Sequence, residues 1–268
     1  MRVLVCLAGL FLLAGCTTLD SVTGKKTRNF YSIDKDVAIG SEVQAGTLTA
    51  LEKSGTPVNA NPQQVAMLET MVRRIAAVSD LPDLPYEVTL IHTNIVNAMA
   101  APGGKIMVYE GLWDPQNGLA RTEDEIAAVI AHEIAHVNAR HSTEAMTRAM
   151  PANIAAIGLM ALAKDSEHEK VAQMLVAGGM FVVNGVWMTK YSRTDEFEAD
   201  AVGLMYMAKA GYDPRAAIHI WEQVAARQGR NDPASSIFST HPSSAARVEN
   251  LRAKLPEAER IYQSRKIR

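Results

Sequence analysis

The chain has no excess of charge of one sign. Its 268 residues carry 27 basic and 29 acidic side chains, and neither kind forms a long run. Nucleic-acid-binding surfaces carry a basic stripe, so no nucleic-acid partner is expected. Aromatic residues are also scarce, at 6%, whereas 48% of the residues are hydrophobic and helix formers such as alanine and methionine are common. This balance predicts a mainly helical, soluble fold.

Cysteine is nearly absent: Cys6 and Cys16 are the only two, and both lie near the N-terminus. After Arg2, residues 3–13 are apolar but too few to span a bilayer as a mature helix, which is typical of a removable signal. The segment ends in Leu-Ala-Gly-Cys, which resembles the lipobox of bacterial lipoproteins. This resemblance implies a signal peptide over residues 1–15, with cleavage before Cys16 and lipid attachment to that cysteine.

An ordinary secretory signal that contains a cysteine is the alternative. It is disfavoured because loss of Cys6 and acylation of Cys16 would leave no free thiol in an oxidising compartment. Thr17 follows where many inner-membrane lipoproteins carry aspartate, which favours the periplasmic side of the outer membrane. We therefore expect a lipid-anchored protein whose residues 16–31 form the lipidated cysteine and a polar tether.

A single folded domain is expected over residues 32–268. Apolar spacing predicts a helix over 33–53 and a second, which an Asn-Pro pair starts, over 62–78. Residues 86–92 alternate between apolar and polar side chains and predict a strand. Residues 97–113 predict two short strands joined by a glycine-containing turn. A small sheet is therefore expected between the helices.

Two further apolar stretches are harder to assign. Residues 152–163 are too few to span a membrane, and residues 171–189 are interrupted by Gln173 and Asn184. These features favour a soluble helical hairpin beside the active-site cleft over membrane insertion.

One predicted helix gathers several titratable side chains. It begins at a capping box, Thr122 with Glu125 three residues on. His132 and His136 are four residues apart, so at about 100° per residue they share one face and can both reach one ion. Two such imidazoles suit tetrahedral Zn²⁺, and Glu133 is placed to accept a proton from water at the site. This is the HExxH pattern of zinc peptidases; the alternative is a surface helix with two solvated histidines.

The third zinc ligand decides the class of site. Metzincins continue as HExxHxxGxxH, but this chain has Ala139 and Ser142 at the required glycine and histidine positions. His141 comes one position early, and we expect it to be a charged residue at the helix C-terminus, where the helix dipole favours it. The alternative ligand is a glutamate on a second helix. The chain predicts such a helix between Thr194, as N-cap, and Gly211, just past its end.

Three acids on that second helix compete for the metal: Asp195, Glu196 and Glu198. Asp200 shares a face with Glu196 because it lies four residues later, whereas Glu198 is about 200° away from Glu196. A ligating histidine commonly needs a carboxylate on its other ring nitrogen. Glu196 as ligand and Asp200 as that carboxylate meet both needs from one face, so we expect Glu196 to bind the metal.

These residues resemble the ExxAD-containing gluzincins, the zinc endopeptidases that include the CAAX prenyl endopeptidases, the HtpX peptidases and the Oma-type mitochondrial peptidases. HExxH at residues 132–136 is followed by Glu-Phe-Glu-Ala-Asp at 196–200. Residues 97–104 are similar to the family's edge strand, and Thr-His-Pro at 240–242 with Arg247 is similar to its C-terminal motif. The lipobox indicates the LoiP-like periplasmic lipoprotein subgroup.

The resemblance implies an α+β, mainly α-helical fold of zincin type. In this fold, the edge strand of a small sheet flanks the active-site helix. It also implies one Zn²⁺ per chain, held by His132, His136 and Glu196, with Glu133 as the general base.

Two further roles follow from the resemblance. Asn97, Ala98, Met99 and Ala100 are implied to bind an extended polypeptide substrate as an added strand, although Met99 stands where phenylalanine is common in the family. His241 is implied either to stabilise the oxyanion or to occupy the fourth zinc position at rest. A capping histidine in a proline-bounded loop is the alternative.

The implied function is a zinc metalloendopeptidase of the bacterial cell envelope that cleaves misfolded or envelope proteins in quality control. Its partners would be polypeptide substrates, the membrane through the lipid anchor, and envelope assembly proteins. A zinc-bearing envelope chaperone or assembly scaffold with little proteolytic activity is the alternative. The intact Glu133 opposes it, because a pure binding protein needs no base.

Lipid anchoring through Cys16 can be tested by substitution. Cys16→Ser removes the acylated thiol, so the protein should leave the membrane fraction or remain unprocessed. Fractionation of cells that express the variant, beside cells that express the unaltered chain, measures this. Unchanged membrane association of a normally processed variant would contradict the prediction and point to residues 171–189 as the anchor.

Overall fold

The computed structural model describes residues 17–24, 26–162, 191–227, 237, 241 and 245–266. The helices are α1 (Ile33–Lys53), α2 (Pro62–Ala76), α3 (Glu123–Asn138), α4 (His141–Leu162), α5 (Arg193–Ala210), α6 (Arg215–Arg227) and α7 (Ala245–Lys266). The strands are β1 (Thr17–Leu19), β2 (Lys26–Arg28), β3 (Glu87–Ile91), β4 (Ala98–Ala101) and β5 (Lys105–Tyr109). Helices dominate and the sheets are small, which confirms the predicted α+β, mainly α-helical class.

The larger sheet has the strand order β3-β5-β4. β3 runs parallel to β5, and β4 runs antiparallel to it with Met99 opposite Met107. β4 is therefore an edge strand, as predicted, and one side of its backbone faces away from β5. β4 also packs against α3, so this edge lies beside the helix that carries HExxH.

Helix α3 lies at the centre of the domain. Its capping box forms as predicted: Thr122 Oγ1 accepts from the Glu125 N–H at 3.2 Å, and Glu125 Oε2 accepts from the Thr122 N–H at 3.0 Å. Every residue from Glu125 to Asn138 is buried, and the helix packs against α2, α5, α6 and β4. The alternative of a surface helix with solvated histidines is therefore wrong.

Helix α5 approaches α3 closely at Gly203. A Cβ atom at Gly203 would lie 3.0 Å from the carbonyl carbon of Ala131 and 3.0 Å from the backbone nitrogen of His132. These atoms are backbone and cannot move aside cheaply. Glycine at this position lets the two helices that carry the predicted ligands pack face to face.

The sequence predicted the C-terminal end of α5 correctly but not its N-cap. The N-cap is Ser192 and not Thr194, which lies inside the helix. Ser192 Oγ accepts from the Asp195 N–H at 3.2 Å, and Asp195 Oδ2 accepts from the Ser192 N–H at 3.0 Å. Both residues are capable caps, but only Ser192 has an acid three residues on to complete a capping box. Gly211, at φ 84°, ends the helix as predicted.

β1 and β2 form an antiparallel hairpin in the segment that was predicted to be a tether. Ser21 Oγ donates to the Asn138 carbonyl at 2.6 Å, and Asn29 Nδ2 donates to Thr143 Oγ1 at 2.9 Å. The small polar residues of this segment thus bind the end of α3 and the start of α4. From β1 onward the segment is folded against the domain and is not a free tether.

Arg140 separates α3 from α4. Its φ of 57° lies in the left-handed region, which is strained for a residue other than glycine. Its guanidinium holds the turn: Nε donates to Asp36 Oδ2 at 2.6 Å, and Nη2 donates to the Tyr31 carbonyl at 2.5 Å. The turn makes His141 the first residue of α4 and buries it to 3% exposure. The expectation that His141 is a charged residue at a helix C-terminus is therefore wrong.

Some predictions fall outside the described residues. These are the signal peptide over residues 1–15, the lipidated Cys16, and the apolar stretch at residues 171–189. The first apolar stretch extends α4 as far as Leu162. Within the part of the chain that the structure describes, no helix is both long and apolar enough to cross a membrane.

Candidate metal centre

Four buried side chains converge between α3 and α5. They are His132 and His136 of α3, Glu196 of α5, and His241, and each offers one ligand atom within 4.8 Å of the others. His132 Nε2 lies 3.1 Å from His136 Nε2 and 3.5 Å from Glu196 Oε2. None of the four is more than 2% exposed. The structure thus brings together the three predicted ligands and places His241, the further residue that the resemblance implied, beside them.

The donor set fits a divalent transition metal. Imidazole nitrogens and a carboxylate oxygen are ligands that Zn²⁺ accepts in tetrahedral sites. Glu133 is 1% exposed, and its Oε2 has no hydrogen-bond partner among the described residues. An unpartnered buried carboxylate oxygen is costly unless a ligand or water meets it. Its position next to the four converging groups is that of a base facing a metal site.

The structure agrees with the choice of Glu196 over Glu198, which was made from the faces of the helix on which they lie. Glu196 is fully buried and belongs to the convergent group, whereas Glu198 is only half-buried and does not. Asp200 shares the face of Glu196, and its Oδ1 lies 3.1 Å from His132 Nδ1. This is the geometry expected of a carboxylate that orients a ligating histidine through its other ring nitrogen.

Arg247 of α7 ties the two buried carboxylates together. Its Nη1 lies 2.6 Å from Glu196 Oε2, and its Nε and Nη2 each donate to Asp200 at 2.7 Å. The guanidinium also lies 4.0 Å from the centre of the Trp221 ring, which in turn packs against His132. The sequence suggested Arg247 only through the family motif. Its contacts show why a bidentate cation is needed beside two buried acids.

The buried charges shift the ionisation of the cluster. Burial alone would lower the pKa of His132, but the carboxylates of Asp200 and Glu196 outweigh it and raise that pKa to about 9. Burial would raise the pKa of Glu196, but His241 and the two α3 histidines hold it well below its usual value. Burial also raises the pKa of Glu133, and the neighbouring imidazoles oppose this only in part. Glu133 is therefore a stronger base than a solvated carboxylate.

His136 is fixed on its outer side by two rings. His141 Nδ1 lies 2.8 Å from His136 Nδ1, and the Tyr191 ring stacks on His136 at 3.9 Å with 16° between the planes. The Tyr191 hydroxyl is 3.0 Å from Ser142 Oγ. Burial lowers the pKa of His141 to about 4, so its imidazole is neutral. Sequence reasoning missed Tyr191 and gave His141 a different role, because neither stands at a predicted ligand spacing.

His241 lies directly over the predicted base. Its Nδ1 is 3.2 Å from His132 Nε2 and 3.1 Å from Glu196 Oε1, and its Nε2 is 3.3 Å from Glu133 Oε1. The ring therefore fills the position that a fourth ligand would take. This geometry favours a resting ligand over a capping histidine in a surface loop.

The predicted substrate strand reaches the same carboxylate. The backbone of Ala100 lies close enough to Glu133 to lower its pKa slightly, against the larger effect of burial. Asn97, Ala98 and Ala100 have buried side chains, whereas Met99 is half-buried. Any contribution of these residues to substrate binding would thus come mainly from their backbone.

A family model for peptidase family M48 matches residues 62–255. The chain belongs to this family. The match covers the sheet, both helices of the metal centre and Arg247, so it confirms the predicted resemblance to the gluzincin group that contains Oma-type peptidases. Among the M48 family's curated members, the mitochondrial metalloendopeptidase OMA1 of Schizosaccharomyces pombe is 38% identical over 191 residues, which is 70% of this chain and 52% of that protein.

Bacterial relatives match as well. The beta-barrel assembly-enhancing protease of Escherichia coli is 26% identical over 226 residues, 82% of this chain and 45% of that protein. The putative beta-barrel assembly-enhancing protease of Vibrio cholerae is 30% identical over 206 residues, 75% of this chain and 41% of that protein. The chain thus spans about half the length of the curated relatives it matches.

Metal content distinguishes the two candidate glutamates. The purified protein should carry about one zinc per chain, and Glu196→Ala should lose most of it because a ligand is removed. Glu198→Ala on the same helix is the matched control and should keep its zinc, while His136→Ala should lose it. Elemental analysis after dialysis measures the ratio. Full zinc in Glu196→Ala together with loss in Glu198→Ala would contradict the assignment.

Proposed function

We propose that this chain is a zinc-dependent metalloendopeptidase. The observation that carries the proposal is the placement of Glu133, a buried carboxylate with a raised pKa, beside the convergent His132, His136 and Glu196. Zn²⁺ bound by these three residues would supply the Lewis acidity that polarises a peptide carbonyl and acidifies water. Membership of family M48 supports the same chemistry.

The protein's own residues perform the proton transfers. Glu133 accepts a proton from the attacking water and delivers it to the leaving amine, which its raised pKa favours in both directions near neutral pH. Asp200 fixes the ring of His132, and Arg247 keeps Asp200 ionised and also places a positive charge against Glu196. The base and the ligands are thus preorganised before a substrate arrives.

Among the described residues, β4 pairs with β5 alone, and its other edge supports a polypeptide substrate. An extended chain can add to an edge strand through backbone hydrogen bonds, and this mode of binding needs little sequence specificity. β4 packs on α3 and its Ala100 lies near Glu133, so a chain bound there would pass the base. Unfolded or misassembled proteins offer such extended segments.

We further propose that these substrates are proteins of a bacterial envelope, with the enzyme held on the periplasmic side of the outer membrane through Cys16. The lipobox-like sequence before Cys16 supports the location. The E. coli and V. cholerae relatives are named for the assembly of β-barrels, which supports a role in envelope quality control. The OMA1 relative is mitochondrial, so sequence similarity alone does not decide between the bacterial envelope and the mitochondrion.

Proteolysis of an unfolded protein tests the activity. The zinc-loaded enzyme should cleave unfolded casein, and Glu133→Gln should abolish cleavage while it retains zinc, because only the base is lost. Peptide release and zinc content are measured on the same samples. No turnover by either protein would refute the endopeptidase and support the zinc-bearing chaperone or scaffold, whereas equal turnover by both would refute Glu133 as the base.

His241→Ala separates the two roles of that residue. If His241 occupies the fourth metal position at rest, the substitution opens the site, so we expect casein turnover to rise while zinc is retained. Stabilisation of the oxyanion by His241 would instead make turnover fall by roughly two to three orders of magnitude. Wild-type turnover and zinc affinity in this variant would refute both roles.

A further inference from the structure

The two α3 histidines of the metal centre have different partners on their outer nitrogens. His132 Nδ1 faces the carboxylate of Asp200 at 3.1 Å. His136 Nδ1 faces another imidazole nitrogen, Nδ1 of His141, at 2.8 Å. Most ligating histidines donate this N–H to a carboxylate, a carbonyl or water. His132 therefore has the usual kind of outer partner, a carboxylate, whereas the outer partner of His136 is an unusual one, a second imidazole.

The direction of the His136–His141 hydrogen bond follows from the position of the metal site. His136 Nε2 points into the cluster, 3.1 Å from His132 Nε2 and 3.5 Å from Glu196 Oε1. A ligand nitrogen must present its lone pair to the metal, so the proton of a neutral His136 resides on Nδ1. Two nitrogens 2.8 Å apart cannot both carry hydrogens between them. His136 therefore donates, and His141 Nδ1 accepts.

His141 reaches this position because of the turn at Arg140. In a continuous helix, residues 136 and 141 would lie about 140° apart and could not meet. The left-handed Arg140 ends α3 and restarts the chain as α4, which folds His141 back onto His136. The Arg140 guanidinium donates hydrogen bonds to Asp36 and to the Tyr31 carbonyl, and these bonds hold the turn in place.

His141 is an outer partner and not a further ligand. Its Nδ1 meets the nitrogen of His136 that faces away from the cluster, and His141 is not among the four residues whose ligand atoms converge. The ring is 3% exposed, so water does not compete for the hydrogen bond. The stacked Tyr191 restrains the plane of the His136 ring but offers no acceptor to its Nδ1.

We propose that His141 is the positioning residue of the metal centre: it accepts the Nδ1 proton of His136 and so fixes the tautomer and orientation in which His136 binds the metal. The proposal rests on the proposed metal-dependent function. An outer partner of this kind raises the basicity of the ligand nitrogen and removes the entropy of ring rotation, and its loss commonly lowers metal affinity by about 10–100-fold.

The test compares zinc affinity among variants of His141, measured by competition with a chromophoric chelator. His141→Leu removes the acceptor and should weaken zinc binding by about 10–100-fold. His141→Asn places an amide oxygen where Nδ1 lies and should restore most of the affinity. His141→Gln carries its amide one carbon further out, so its affinity should stay below that of the Asn variant. Thermal unfolding of the metal-free proteins checks that all variants are folded.

His92→Leu is the matched control. His92 is half-buried, and its Nδ1, like that of His141, has a partner, Glu110 at 2.9 Å, but it lies outside the metal cluster. Its loss should leave zinc affinity unchanged. This control separates the removal of any hydrogen-bonded imidazole from the removal of the one that contacts a ligand.

The outcomes are distinct. Wild-type zinc affinity in His141→Leu would overturn the positioning role, as would an Asn variant that binds no more tightly than the Leu or Gln variant. If His141→Leu does not fold, the comparison of Asn with Gln decides. Absence of zinc binding by the unaltered protein would instead refute the proposed function, so the two failures cannot be confused.

Discussion

The metal centre depends on one buried guanidinium, that of Arg247. Two carboxylates, Glu196 and Asp200, are removed from water on the same face of α5, and burial of an unpaired carboxylate costs several kcal/mol. Arg247 meets both, and it stacks on Trp221 of α6. The positive charge that Arg247 sets against both carboxylates therefore comes from α7, the last helix of the described chain, and the histidines of the site add to it at Glu196. The electrostatics of the site therefore depend on how α5, α6 and α7 pack together.

This constraint explains why some features of the site could be predicted from the sequence and others could not. Spacing along one helix is fixed by the helical repeat, so the pairing of His132 with His136 followed from angles, and the choice of Glu196 over Glu198 followed from angles and the need for an outer carboxylate. The capping box at Thr122 and the terminal Gly211 followed from local hydrogen-bonding chemistry. Each of these predictions needed only one element at a time.

The features that sequence reasoning missed depend on contacts between elements. The fold of His141 onto His136 requires a left-handed Arg140, and nothing in the local sequence demands that conformation for an arginine. The residues that hold it, Tyr31 and Asp36, lie more than a hundred positions earlier. The segment of β1 and β2 has the polar composition of a linker, and its docking depends on hydrogen bonds from Ser21 and Asn29 to the ends of distant helices. The β1–β2 segment also lies before residue 62, where the match to family M48 begins, although it contacts residues inside the matched range.

The docked hairpin has a consequence for where the enzyme can work. A free chain over residues 17–31 could extend about 50 Å and let the catalytic domain search a wide volume above its point of attachment. Here the same residues are bound to Asn138 and Thr143, at the ends of the helices that carry HExxH and His141. With Cys16 acylated, as proposed, the cleft would be held at nearly constant height over the bilayer. Substrates would then be selected by how close to the membrane they expose an unfolded segment.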